Sequence, residues 1–98
     1  MRVDWTDLAL DRADEIAQHI AEDDREAAVR GMVGLFDAAD RLSDFPESGR
    51  MVPELEQRDV RELVYGAYRV FYRVGDAVSV LSVRHGSQLI RDEDVPRD

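Results

Sequence analysis

The chain has no cysteine in its 98 residues. That excludes a disulfide framework, a thiolate nucleophile and any metal site built on thiolates, and it fits a reducing compartment. Lysine is absent as well, and all 13 cations are arginine. GC-rich codon usage is the simple source of such a bias, although arginine also suits bidentate contacts better than lysine does. No apolar run approaches the roughly 20 residues of a membrane span. The N-terminal "MRVDWTDLAL" places charges where a signal peptide needs its apolar stretch. The expected location is therefore cytoplasmic, with no membrane partner. Two histidines, His19 and His85, are too few and too far apart to suggest a metal, and no cofactor is expected.

Acid is abundant. The net charge is −9, which disfavours a general affinity for nucleic acid. No direct sequence-specific DNA binding by this chain alone is expected. The charge is uneven along the chain. Residues 1–48 carry 13 acids and 5 arginines, residues 49–91 carry 5 acids and 7 arginines, and residues 92–98 carry 4 acids and 1 arginine. The acid run Glu22-Asp23-Asp24 reads as a solvated helix connection, because a calcium loop needs more widely spaced oxygens and a glycine.

The length predicts one domain over residues 1–98, with 92–98 a flexible acidic tail. "RVDW" is a short strand with Val3 and Trp5 on one face. Thr6 suits an N-cap. Leu8, Ala9, Ala13, Ile16, Ala17 and Ile20 then recur at helical spacing over 7–22. Asp23 or Asp24 can cap a second helix over about 25–43, whose stripe is Val29, Met32, Val33, Phe36, Ala39 and Leu42. Gly31 and Gly34 weaken that helix and suggest close helix–helix approach. Pro46, Gly49 and Pro53 mark 43–55 as a loop. Three antiparallel strands follow at about 60–65, 68–74 and 77–85, with Gly75-Asp76 as a two-residue hairpin loop. The expected class is α+β in the order β-α-α-β-β-β. An αα-hairpin covers one face of a three-stranded antiparallel meander, and the first strand adds to the sheet.

Alternation along 68–74 places Tyr68, Val70, Tyr72 and Val74 on one face and Arg69, Phe71 and Arg73 on the other. A two-residue turn pairs Arg73 with Val78, Phe71 with Val80 and Arg69 with Ser82, and Arg84 follows on the same face. The helices would take the apolar face. The other would remain open, with Arg69, Arg73 and Arg84 set around Phe71, Val78 and Val80. The register of 60–65 is left open by one residue. Trp5, Tyr65, Tyr68 and Tyr72 read as packing residues, and His19 as a surface residue of the first helix.

The helical hairpin, the loop "FPESGRMVPEL", the run "RELVYGAYRVFYRV" and the closing "VLSVRHG" together resemble the RelE/ParE superfamily of type II toxin–antitoxin modules. The resemblance implies a small toxin neutralised by a cognate antitoxin that wraps around it. Two activities divide that superfamily. ParE-like members inhibit DNA gyrase without acting as nucleases. RelE-like members cleave mRNA on the ribosome with basic and polar residues on the open sheet face. Arg69 matches an arginine of the nucleases, and Arg84 and His85 are catalytic candidates on that reading. The preceding strand departs from the nuclease pattern, because its two basic positions correspond here to Val60 and Glu62. The expectation is a ParE-like gyrase inhibitor. Arg61, Arg69, Phe71, Arg73, Arg84 and His85 are its candidate partner-binding residues. A ribosome-dependent endoribonuclease and a non-toxic antitoxin-binding member are the alternatives. Arg69→Ala is expected to leave such a fold intact.

Overall fold

The computed structural model describes residues 1–53, 55, 59–86, 88, 90 and 94. Of the acidic tail assigned to 92–98, all but Asp94 lies outside the described residues. The elements are β1 (Val3–Trp5), α1 (Asp7–Ala21), α2 (Arg25–Asp40), a 3-10 turn (Arg41–Ser43), β2 (Arg50–Met51), β3 (Val60–Tyr65), β4 (Tyr68–Val74) and β5 (Val78–His85).

Local chemistry sets the helix starts. The Thr6 hydroxyl accepts from the Ala9 amide at 3.1 Å and donates to the Leu81 carbonyl at 3.1 Å. One side chain thus caps α1 and ties its start to the sheet. Asp24 caps α2 by accepting from the Ala27 amide at 3.0 Å. The second helix ends at Asp40, earlier than its apolar stripe suggests. The last residues tighten into the 3-10 turn, which still buries Leu42.

The sheet corrects the three-stranded expectation. It has five strands in the order β1-β5-β4-β3-β2 and is mixed, because β1 runs parallel to β5. The edge strand β2 pairs with β3 through Arg50↔Glu62 and Met51↔Arg61. It lies inside the stretch read as loop, since two residues are too short to show alternation and Gly49 and Pro53 flank them.

The register between β4 and β5 also differs. Val74 pairs with Val78, so the turn has three residues rather than two. That one-residue shift turns Val78 and Val80 to the helix side. A bulge between Phe71 and Tyr72 adds a second shift, so that Phe71 faces Ser82 and Arg69 faces Arg84. Arg84 therefore stays on the arginine face, whereas the two valines do not.

The main core lies between helices and sheet, where Ala9, Ala13, Leu35 and Ala39 meet Val70, Val80 and Val83. The half-buried Trp5 stacks on Phe36 with ring centroids 4.4 Å apart. A second cluster joins Leu42, Tyr72 and Val78. A third lies on the opposite sheet face, where Val52, Leu55 and Ile90 cover Val60, Phe71 and Leu81. Phe71 is fully buried and Arg69 is 8 % exposed. The face expected to be open is therefore covered over Phe71 and Arg69, while Val64 on the same face stays exposed.

Glycines in α2 admit two different neighbours. A methyl at Gly31 would meet only Ile20 Cδ1 at an ordinary 3.8 Å, so the α1 contact does not need glycine there. A methyl at Gly34 would fall 1.8 Å from the Tyr65 hydroxyl. It is the β3 tyrosine, not the other helix, that uses this gap. Gly31→Ala is expected to raise stability by about 1 kcal/mol through helix propensity. Gly34→Ala is expected to lower it, because Tyr65 must leave its place on the core. Urea unfolding of the two variants gives opposite signs on this account.

Tyr72 adds a pH dependence. Burial raises its pKa above the ordinary tyrosine value, although the Gly49 amide bonded to its oxygen at 2.8 Å acts in the opposite direction. The unfolded phenol ionises first, near pH 10. The contribution of Tyr72 is therefore complete below that value and is lost as pH rises through the folded pKa. Tyr72→Phe is expected to flatten the alkaline limb of a stability-versus-pH curve.

Candidate functional site

On β3 the register with β4 is Val60↔Arg73, Glu62↔Phe71 and Val64↔Arg69. Glu62 therefore shares the face of the arginines. Its side chain is fully buried and lies against two of them. Arg69 Nε donates to Glu62 Oε2 at 2.6 Å, and Arg69 Nη2 lies 2.5 Å from the same oxygen. Arg50 Nε donates to Glu62 Oε1. Arg69 also donates to the Gln88 carbonyl at 3.3 Å, and its guanidinium lies 4.9 Å from the Phe71 ring centroid.

A matching arrangement holds Arg84. Asp94 is fully buried and accepts from Arg84 Nη2 at 2.6 Å, from Arg84 Nε at 3.2 Å and from Arg12 Nη2 at 3.2 Å. Burial alone would lower the Arg12 pKa, but the hydrogen bond and charge of Asp94, aided by Glu15, hold it above the ordinary value. Arg69 and Arg84 face each other directly across β4 and β5. Like charges so placed repel. Here each has a buried carboxylate of its own, and each carboxylate is shared with a second arginine. Arg73 pairs with Asp59 at 2.7 Å.

The remaining candidates separate from this cluster. Arg61 alternates onto the helix side, where its guanidinium donates to the Gly49 carbonyl at 2.8 Å. His85 pairs with Tyr68 and meets its ring edge-on, with centroids 5.7 Å apart. It lines a cleft of about 340 Å³ against α1, together with Arg84, Tyr68, Arg12, Glu15 and His19. The strand register thus brings Arg69, Phe71, Arg73 and Arg84 together and turns Arg61 and His85 to the other side. Glu62 appeared in the sequence as a departure from a basic pattern, not as the partner of Arg69. Asp94 lay in a run read as tail, and nothing in its spacing marked it as buried.

Among the described residues no helix is long and apolar enough to cross a membrane, and no group of three or more His, Cys, Asp or Glu side chains is placed to hold a metal ion. Residues 3–90 match the family described as ParE toxin of type II toxin–antitoxin system, parDE. The chain belongs to the ParE toxin family. A putative toxin, Y4kP, of Sinorhizobium fredii is 38 % identical over 89 residues, covering 89 % of this chain and 90 % of that one. Toxin RelE2 of Caulobacter vibrioides is 36 % identical over 90 residues, covering 90 % of this chain and 98 % of that one.

Solved structures repeat the family fold. A chain of the chromosomal ParDE system of P. aeruginosa superposes with a TM-score of 0.72 at 22 % identity, covering 87 % of this chain and 95 % of that one. A chain of the toxin–antitoxin complex RelBE2 of Mycobacterium tuberculosis gives a TM-score of 0.57 at 25 % identity, covering 86 % and 95 %. The ParE-family chain described here is therefore a toxin of the ParE/RelE type, built on the α+β fold of that superfamily.

Proposed function

We propose that this ParE-family chain acts as a ParE-type toxin. It binds a macromolecular target in the cytoplasm, DNA gyrase, and a cognate antitoxin neutralises it. The observation that carries this reading is the buried Glu62 on Arg69. A ribosome-dependent nuclease needs cations on this face to stabilise the extra negative charge of a pentavalent phosphate. Here Glu62 is paired with Arg69 and Arg50, and Asp94 with Arg84. The side chains of Arg69 and Arg84 are 10 % and 13 % exposed. His85 alternates away from Arg69 along the strands but shares a cleft with Arg84, so it is the compensated charge of Arg69 and Arg84 that weighs against a phosphate site.

Purified protein is expected to inhibit gyrase supercoiling in vitro and to induce the SOS response when expressed without its antitoxin. Primer extension on cellular mRNA is expected to show no codon-positioned cuts. Such cuts, with supercoiling unaffected, would replace this reading with the nuclease one. Neither effect, in cells that still show complex formation with an antitoxin, would identify a non-toxic binding member.

A further inference from the structure

The chain has two histidines, and the fold sets both on one cleft. His19 belongs to the last turn of α1, and His85 ends β5. The cleft lies between that helix and the end of the sheet. Its volume of about 340 Å³ is within the range of small-molecule sites. Ile16, Val83 and the Tyr68 ring give it an apolar seat. The two histidines, Arg12, Glu15 and Arg84 give it polar walls. Arg12, Glu15, Ile16 and His19 follow helical spacing, so a single face of α1 supplies all four.

The fixed charges around this cleft balance. Arg12 and Arg84 both bond to the buried Asp94, and Glu15 stands 3.5 Å from Arg12. Two cations therefore meet two carboxylates. Glu22, 3.8 Å from His19 Nδ1 on the same helix, adds an acid at the rim. From the strands and the segment after them, His85 meets uncharged groups. Tyr68 is edge-on to its ring, and the Gln88 side chain accepts from its backbone amide at 3.0 Å. Imidazole is the side chain whose charge ordinarily changes between about pH 5 and 8. Protonation of both rings takes the cleft, Glu22 included, from net negative to net positive. We infer that the cleft binds a small organic carboxylate when its histidines are protonated, with the ligand's apolar body on Ile16, Val83 and Tyr68 and its carboxylate at the imidazoles. A carboxylate has one negative charge, which suits so small a positive excess. Its oxygens accept charge-assisted hydrogen bonds from imidazolium N–H groups. With an ordinary pKa of about 4 it stays ionised where histidine is charged. The site is separate from Glu62 and Arg69, and it does not depend on which macromolecule the toxin binds.

The test titrates the full chain with phenylacetate while NMR follows the two imidazoles, which the single variants His19→Gln and His85→Gln assign. Both histidines are exposed, so circular dichroism of the variants should match the unsubstituted protein. Phenylacetate is expected to shift both imidazole signals saturably at about pH 5.5, and to bind about tenfold more weakly at about pH 8. Either substitution should reduce that pH dependence, and the double variant should abolish it. No saturable shift at the acid pH overturns the site. Equal affinity at the two pH values, or a pH dependence that survives in the double variant, overturns control by the histidines. Acetate binding as tightly as phenylacetate overturns the apolar seat. Inorganic phosphate binding as tightly as phenylacetate overturns the carboxylate class.

Discussion

Arg69→Ala is expected to lower the unfolding free energy by about 3 kcal/mol, because it leaves the Glu62 carboxylate buried with one fewer partner. Arg50 remains, but its side chain is 65 % exposed and contacts only one of the two carboxylate oxygens. The same substitution on an open sheet face would be close to neutral. Urea unfolding separates the two cases through the transition midpoint at constant slope. Combining Arg69→Ala with Glu62→Leu is expected to recover most of the loss, since the buried charge leaves with its partner and Arg50 returns to water. A neutral single variant would mean that the face is open after all. The double variant also tests function: if Arg69 serves the fold alone, target binding survives in it, whereas a direct contact is lost in both variants.

The two readings of Arg69 show where sequence information ended. Alternation correctly placed Arg69, Phe71 and Arg73 on one side of β4, the N-cap at Thr6 was visible from residue type, and the second cap was narrowed to Asp23 or Asp24, of which the structure uses Asp24. These are local properties, fixed by backbone geometry and by the first turn of each helix. The strand β2 was not visible, because two residues cannot display a period. The Phe71/Tyr72 bulge was not visible either, since an extra residue in a ladder is a property of the pair of strands and not of one of them. The cover over the arginine face depends on the distant residues Val52, Leu55 and Ile90. Glu62 could have been read as a partner of Arg69 once the hairpin Tyr65↔Tyr68 was assumed, for that register brings both onto one face. Asp94 offered no such clue.

The compensated arginines also explain how an acidic chain tolerates a basic segment in its sheet. Residues 49–91 are cationic by sequence, yet Arg69 and Arg84 are each matched to a buried acid. Exposed apolar side chains lie on the helical hairpin, through Val29 and Val33, and also at Phe45 and on β3 at Val64.

Gly49→Ala is expected to cost about 3 kcal/mol, at the upper end for one added methyl group in a tight site. That carbon would lie 2.5 Å from the Glu62 backbone oxygen, 2.5 Å from the Tyr72 hydroxyl and 2.8 Å from Tyr72 Cε1. The Glu62 carbonyl belongs to β3 beside its β2 partner Arg50 and cannot move without parting the two strands. The Tyr72 hydroxyl cannot withdraw without losing the Gly49 amide, and its ring is fully buried with Leu42 and Val78. Lifting β2 would also carry Arg50 away from Glu62 and the Gly49 carbonyl away from Arg61. Gly66 is the instructive contrast. It has φ +57° and nothing within 4 Å of an added carbon, so Gly66→Ala pays only the left-handed backbone cost of about 1 kcal/mol. Unfolding midpoints should rank Gly49→Ala well below Gly66→Ala. Hydrogen exchange should show the protection loss of Gly49→Ala concentrated in β2 and the adjoining part of β3. An equal cost at the two sites would mean that β2 yields freely, and Glu62 would then depend on Arg69 alone. Adding Tyr72→Phe to Gly49→Ala should relieve only part of the cost, because the Glu62 backbone oxygen remains in the way.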